Sequence, residues 1–396
     1  MQRVLIAGAG PVGMVSALAL ARAGIPVLVL ERNADLAEDL RGTTFHPPTL
    51  DMLGGLELAG DLSRLGLVAR ATQYRDRREG LIAEFDMELL RGETDHPYRL
   101  QCEQFKLTRL AAEQLRGYPH AEIRFRTAIT GVAQTAEGVT VSVNSGGSRE
   151  EWAGSYLIGA DGVRSTVRQA IGIDFEGFTY PERFFVAATT FDFSRHFDRL
   201  SYINYISDPD DWCALVQVPG SWRALFPTRA EETDAEVLTE GYADARLQRL
   251  APKPEPYETV HRTLYRVHQR VAKRFRLDRV FLAGDAAHAN NPLGGMGMNG
   301  GLHDAVNLCD KLVKVHRGDA LEDTLDRYER QRRSIAIYHI NASTARNKKL
   351  IEERDDATRR QNHEEMRRTA ADPARTRSFL RKISMMEALR ASEQIQ

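Results

Sequence analysis

The sequence predicts an α/β fold in which a parallel sheet is interrupted by a separate β-sheet and followed by a helical tail. Three observations predict it. Glycine-rich turns follow short apolar runs after Ala7, Ile158 and Ala283; the segments between Phe184 and Arg266 read as strands; and from about Leu321 the chain is helical and densely charged.

The first of these turns sets the frame. Val4 to Ala7 form a continuous apolar run suited to a parallel strand buried on both faces. Gly8, Gly10 and Gly13 follow with the spacing GxGxxG. The first allows the tight turn, the second lets backbone approach a pyrophosphate, and the third lets the next helix pack on the sheet. That helix, Pro11 to Ala23 with Val12 in its first turn, directs its amide end at phosphate, and Gly24 suits its end. A second apolar strand, Pro26 to Leu30, closes on Glu31, a carboxylate placed to accept hydrogen bonds from ribose hydroxyls. Strand, turn, helix, strand and acid at this distance predict a Rossmann-like dinucleotide-binding unit.

Composition narrows the class. A formal net charge of −1 over 396 residues gives no overall pull toward nucleic acid or an anionic membrane, so a small-molecule partner is expected. No basic leader and apolar h-region precede the first strand, and no apolar run approaches the ~20 residues of a bilayer span. Cys102, Cys213 and Cys309 form no CxxC, which argues against a disulfide framework, a zinc site or a dithiol couple and fits a cytoplasmic setting. No HxxxH, HExxH or Cys/His cluster suggests a metal.

Further along, Pro47 and Pro48 are expected to bar helix until about Thr49. A helix is expected from Gln101, then strands with turns at Gly131 and Gly138. The second glycine turn spans Gly159 to Gly162 and leads into a helix carrying Arg164 and Arg168. An acidic helix is expected near Ala230 to Gln248. These readings divide the chain into a discontinuous nucleotide-binding domain at 1–70, 100–180 and 267–320, a β-sheet substrate domain at 71–99 and 181–266, and a C-terminal helical region at 321–396. The mixed-charge runs of that region are solvated helix faces, candidates for pairing two chains into a homodimer.

GAGPVG at Gly8 to Gly13, GADGVRS at Gly159 to Ser165, and GDAAHANNPLGGMGMNGGLHDAVNL at Gly284 to Leu308 occur in one order over most of the chain. In this the chain resembles the flavoprotein monooxygenases that hydroxylate aromatic rings, of the para-hydroxybenzoate hydroxylase type. The resemblance implies FAD as cofactor in a Rossmann-like domain. Gly8, Gly10, Pro11, Val12, Gly13 and Glu31 would hold its ADP part, with Arg32 beside the adenosine. Arg41 would lie over the pyrophosphate or flavin side, and Gln104 over the ribityl-phosphate region. Asp161 would serve FAD and the passing nicotinamide, while Gly284 and Asp285 would meet the ribityl chain. In the loop Pro292 to Asn299, with Gly295, Gly297 and Met298, backbone amides and a helix starting near Gly300 would face the flavin edge that becomes negative on reduction. Leu293, expected to touch the substrate, and Met296 stand where relatives often carry smaller or polar residues.

The reaction so implied uses NADH or NADPH as a transient hydride donor and O2, through a C4a-hydroperoxyflavin, to hydroxylate a small aromatic or N-heteroaromatic ring such as a phenolic or pyridinol acid. His46, Pro292 and Gly295 are expected at the reacting end, with His46 the base that deprotonates a phenol. His288 and His303 also lie near the loop, and a bracing role is preferred for His288. Tyr202, Asn204, Tyr205, Gln217 and Arg223 alternate along the strands that should roof the substrate. An epoxidase or another flavin-dependent oxidoreductase is the alternative on this fold. The halogenase signature WxWxIP is missing, and a simple NAD-dependent dehydrogenase would leave the second and third motifs idle.

Overall fold

A computed structural model describes residues 3–38, 40 and 42–396. The first unit forms as the apolar pattern requires: β1 (Val4–Ala7), α1 (Pro11–Arg22) and β2 (Val27–Leu30), with both strands wholly buried. β3 (Thr44–Phe45) leads into α2 (Pro47–Gly55), which begins on the two prolines expected to delay it. At the first two helical positions the missing N–H groups are not needed and the fixed φ favours the turn. α3 (Ala59–Leu65), β4 (Leu67–Ala69), β5 (Ala71–Asp76), β6 (Gly80–Asp86), β7 (Arg99–Gln101) and α4 (Gln104–Leu115) follow. β8 (Ala121–Arg124) precedes an antiparallel sheet of β9 (Thr127–Gln134), β10 (Val139–Ser145) and β11 (Ser148–Gly154). Gly131 is not a turn but lies inside β9, where the register slips against Ser142 and Val143; a glycine accommodates such a bulge.

The second glycine turn joins β12 (Tyr156–Gly159) to the short helix α5 (Thr166–Ala170). Long strands then build the second sheet: β13 (Phe175–Thr189), β14 (Ile203–Ser207), β15 (Cys213–Val218), β16 (Ser221–Pro227) and, after α6 (Asp234–Val237) and α7 (Glu240–Leu250), β17 (His261–Ala272). The acidic helix is thus two, because Thr233 and Thr239 each cap a new start. β18 (Arg276–Leu277), β19 (Val280–Leu282) and β20 (His288–Ala289) lead to the long helix α8 (Met296–Arg317). The tail is α9 (Thr324–Ile335), a π-helical stretch at 336–341, α10 (Ala342–Ile351), α11 (Asp356–Ala371), α12 (Pro373–Ile383) and α13 (Met386–Gln394). Among the described residues no helix is long and apolar enough to cross a membrane.

The first sheet has the order β18-β19-β12-β1-β2-β8, parallel except at β18. The second has the order β20-β17-β13-β16-β15-β14-β5-β6. The expected domain boundaries at 180/181 and 266/267 fall within β13 and β17, because these paired strands run unbroken out of the first domain. A further small sheet, β3-β7-β4, approaches the second through β7 and β15. The main core joins β1, β2, β12 and β19 to α1 and α8. A separate apolar cluster joins Tyr74, Phe85 and Tyr205 of the large sheet to Leu380, Ile383 and Met386 of the tail, so the C-terminal helices back the second sheet.

Candidate active site

A cavity of ≈ 1040 Å³ opens at the carboxyl ends of β1, β2, β12 and β19 and continues under β14, β15, β16 and β17. Ligands in open α/β sheets bind at that end of the strands. Gly8, Gly10, Pro11, Val12, Glu31, Arg32, Gln104, Asp161, Gly284 and Asp285 line one half of it. The protein itself constrains two glycines of the first turn and leaves the third open. A Cβ on Gly8, at φ +95°, would lie 2.7 Å from the Ala160 carbonyl oxygen, and one on Gly13 would lie 2.0 Å from that of Gly8. A Cβ on Gly10 meets nothing within 4 Å. Gly13 does not line the cavity; it holds α1 against the turn. The amide end of α1 faces the cavity, favourable for phosphate.

Glu31 closes the loop as well as lining the site. One oxygen accepts from Ala9 N–H at 2.8 Å and the other from Asn33 N–H at 2.9 Å. Asp161 accepts with Oδ2 from the amides of Thr166 (2.7 Å) and Val167 (3.1 Å), while its buried Oδ1 has no partner. Asp285, expected to meet the ribityl chain, is exposed on the cavity wall. Arg41 lies outside the described residues.

The loop at 292–299 turns the chain into α8. Gly294 (φ +106°) and Gly295 (φ +67°) take the left-handed conformation that glycine tolerates, and the helix begins at once on Met296 rather than near Gly300. Gly300 and Gly301 lie inside the helix, where close contact needs a small residue: a Cβ on Gly301 would lie 2.7 Å from Val12 Cγ2 and 2.9 Å from Gly284 Cα. Pro292, Leu293, Gly295, Gly297 and Met298 line the cavity. Asn299, expected at the cofactor, is fully buried behind them. Its Nδ2 donates to the carbonyls of Thr44 (2.7 Å) and Gly295 (2.6 Å) and its Oδ1 accepts from His46 N–H (2.9 Å), which fixes the loop to β3.

His46 holds the loop in the same way. It lies outside the cavity lining, fully buried, with Nε2 bonded to the Gly294 carbonyl at 2.9 Å. Burial, and next Arg99, pushes its pKa well below the ordinary histidine value, so the ring is neutral and a poor proton acceptor. His288 Nε2 meets Asp304 Oδ2 at 2.8 Å, and His303 Nε2 meets Thr49 Oγ1 at 2.8 Å. Both are buried away from the cavity.

On the roof, strand alternation separates the expected substrate residues. Tyr205 and Arg223 line the cavity with Val186, Ala214, Val216 and Leu225; Tyr202, Asn204 and Gln217 do not. Asn204 turns to the carbonyls of Ser201 and Leu215 on the far face. Arg223 donates to the Leu40 carbonyl and pairs with Glu103 at 3.3 Å, so its charge is already met.

Residues not singled out in the sequence also line the site: Thr44, Asn290, Tyr265, His261 and His268. His268 is bonded at Nδ1 to Thr179 Oγ1 (2.9 Å), and burial followed by Arg270 lowers its pKa. Burial followed by Arg223 does the same for His261. The signal for Tyr265 was its position on a strand that alternates beside Phe184; nothing local marks Asn290.

The residues fit a flavin dinucleotide. The cavity runs from Glu31 past Gly10, whose Cβ direction is open, to the amide end of α8, and the unpartnered oxygens of Asp161 and Asn290 are acceptors on its wall. The FAD binding domain family matches residues 1–343. The chain is 36% identical over 395 residues to para-nitrophenol 4-monooxygenase of Pseudomonas sp. (strain WBC-3), covering 98% of this chain and 97% of that protein. It is 34% identical over 354 residues to 6-hydroxy-3-succinoylpyridine 3-monooxygenase HspB of Pseudomonas putida (strain DSM 28022 / S16), covering 87% of this chain and 88% of the relative. The crystal structure of p-nitrophenol 4-monooxygenase PnpA from Pseudomonas putida DLL-E4 superposes with a TM-score of 0.92 at 33% identity, over 97% of this chain and 98% of that one. The chain therefore belongs to the FAD-binding-domain family and is a flavoprotein aromatic monooxygenase.

Proposed function

We propose that the enzyme places a hydroxyl group on a small phenolic or hydroxypyridine ring, with NADH or NADPH as electron donor and O2 as oxygen source. The balance is one ring C–H, one reduced nicotinamide, one proton and one O2 giving the ring C–OH, oxidised nicotinamide and water. The observation that carries this reading is the single cavity in which the dinucleotide cradle continues into an apolar chamber under the large sheet. Bound FAD supplies hydride acceptance and oxygen transfer. This chain's residues do the rest. Gly8, Gly10 and the amide end of α1 hold phosphate; Glu31 fixes the turn; Gln104, Asp161 and Asp285 stand where polar groups along the cofactor would be met. The amides opening α8 face the cavity at Gly297 and Met298 and are fixed by Asn299 and His46, so they stabilise developing negative charge without reorganising. Val186, Val216, Leu225 and Leu293 exclude water around a flat ring. The relatives named for para-nitrophenol and 6-hydroxy-3-succinoylpyridine support a ring of this size and class.

The test is anaerobic stopped flow on the FAD-loaded enzyme, following bleaching of the flavin's visible band after mixing with NADH or NADPH and a panel of phenols and hydroxypyridines. One ring compound should accelerate bleaching and, once air is admitted, be recovered with an added oxygen. Equal bleaching with and without every compound, with peroxide as the product of the aerobic reaction, would overturn the reading.

A further inference from the structure

Behind the ring end of the cavity stands a buried cation that makes no salt bridge among the described residues. Arg99, on β7, is 1% exposed. Its Nη2 donates to the Ile383 carbonyl oxygen at 2.8 Å, whereas Nε and Nη1 are buried with no partner among the described residues. Arginine does not shed its proton in proteins, so burial cannot be relieved by neutralisation. A buried charge left in this state calls for an anion.

The neighbours of Arg99 face the same way. On β7 the side chains of Arg99 and Gln101 share one face while Leu100 enters the main core on the other. Gln101 Oε1 accepts from Thr44 Oγ1 at 2.9 Å, and Thr44 lines the cavity; Gln101 Nε2 is buried without a partner. His46, two residues beyond Thr44, gives its Nε2 proton to a carbonyl and leaves Nδ1 as a bare acceptor, also unpartnered. Ile383, which receives the one bond from Arg99, packs in the same apolar cluster as Tyr205 and Leu293, both on the cavity wall, and Tyr74, whose ring centroid is 5.3 Å from that of Tyr205. Arg223, the cation on the wall beside Val216 and Leu225, is already paired with Glu103.

We propose that Arg99, assisted by Gln101, receives an oxyanionic substituent of the aromatic substrate, a phenolate or carboxylate oxygen admitted between Tyr205 and Leu293. This rests on the proposed function and deepens it: the preferred substrate carries a negative charge at the end of the ring turned away from the flavin. Arg99 acts as a specificity-determining residue. Out of water, a free N–H of the guanidinium makes a charge-assisted hydrogen bond to such an oxygen.

The experiment measures equilibrium dissociation constants on the oxidised FAD-loaded enzyme by perturbation of the flavin spectrum. Two matched pairs are used: 4-nitrophenolate against 4-nitroanisole, and 4-hydroxybenzoate against its methyl ester. The wild type should prefer at least one anion over its neutral partner, and the pair showing the preference identifies the oxyanion as phenolate or carboxylate. Arg99→Gln should weaken binding of that anion by at least about thirtyfold, the loss on removing one member of a buried hydrogen-bonded charge pair, while the neutral partner binds as before. Arg99→Lys should recover part of the preference. Unchanged FAD content and neutral-ligand binding show that the variants are folded. An anion-to-neutral ratio equal in wild type and both variants overturns the proposal while leaving the hydroxylase reading intact. Failure of every ring compound to bind the wild type overturns both.

Discussion

Two glycines three residues apart in the first turn illustrate how single residues divide between fold and ligand. Gly13 is required by protein atoms, since the Gly8 carbonyl occupies the place of its Cβ; Gly10 has only cavity above it. Gly10→Ala should therefore leave the stability of the FAD-free protein within about 1 kcal/mol, the small loss of a glycine N-cap. FAD affinity should fall at least about tenfold, as a methyl group meets the pyrophosphate. Paired thermal melts and FAD titrations check this, and equal losses in both would mean that Gly10 serves the fold alone. The histidines divide similarly. His46 was expected as a base on the grounds of its place in a polar, proline-rich loop, yet the fold turns both its amide and its ring into braces for the loop at 292–299. A motif fixes which residues are near one another, not which atoms they offer.

At the scale of elements, α8 is the junction on which the site depends. Its amide end faces the cavity, its glycines let α1 approach, and Asp304 ties it to three other segments. The Asp304 carboxylate accepts from Gly284 N–H at 3.0 Å, His288 Nε2 at 2.8 Å and Arg332 Nε at 2.6 Å. Burial raises its pKa, but His288 and Arg332 outweigh burial and hold it below the usual carboxylate value. Asp304→Asn should cost about 3–5 kcal/mol, because Arg332 is left as an uncompensated buried charge. Denaturant unfolding measures the loss, and Arg332→Met in the same chain should restore part of it. The helix starts at Met296, ahead of the expected Gly300, despite the low helix propensity of glycine. Tertiary contact overrode it, since the small residues are what permit the crossing with α1.

Across the whole molecule, buried neutral histidines set the acid limit of stability. Burial, followed by Arg332, lowers the His303 pKa from 6.5 to about 3. Above pH 6.5 the ring is neutral in folded and unfolded chains and contributes nothing to pH dependence. Below it the unfolded chain takes up a proton that the folded chain refuses, so stability falls as pH falls. Between pH 6.5 and 5.5 this single group should cost about 1 kcal/mol, and His46 acts in the same direction. Denaturant midpoints at these two pH values should differ less in His303→Gln than in the wild type. An identical pH dependence would show that His303 is solvated or protonated in the native state.

The dinucleotide unit was legible because its requirements are local. An apolar run, three glycines at fixed spacing and an acid at the next strand end specify one backbone path, and the structure follows it from Val4 to Glu31. The two later glycine turns and the separate sheet were legible for the same reason, being strings of short-range signals. The substrate end was not. Which of Tyr202, Asn204, Tyr205, Gln217 and Arg223 meets the cavity depends on strand phase relative to a sheet whose neighbours are far away in sequence. β5 pairs with β14, and β7 approaches β15. Arg99 is the extreme case. Nothing adjacent to it in the chain marks it, and its unpaired charge arises only when β7, β3 and the end of α12 come together. The sequence by itself determined the nucleotide cradle and the order of sheets, because backbone sterics and apolar periodicity act over a few residues. Only the tertiary structure decided which polar groups face the cavity and which are left without partners, because burial and charge compensation are properties of contacts between distant segments.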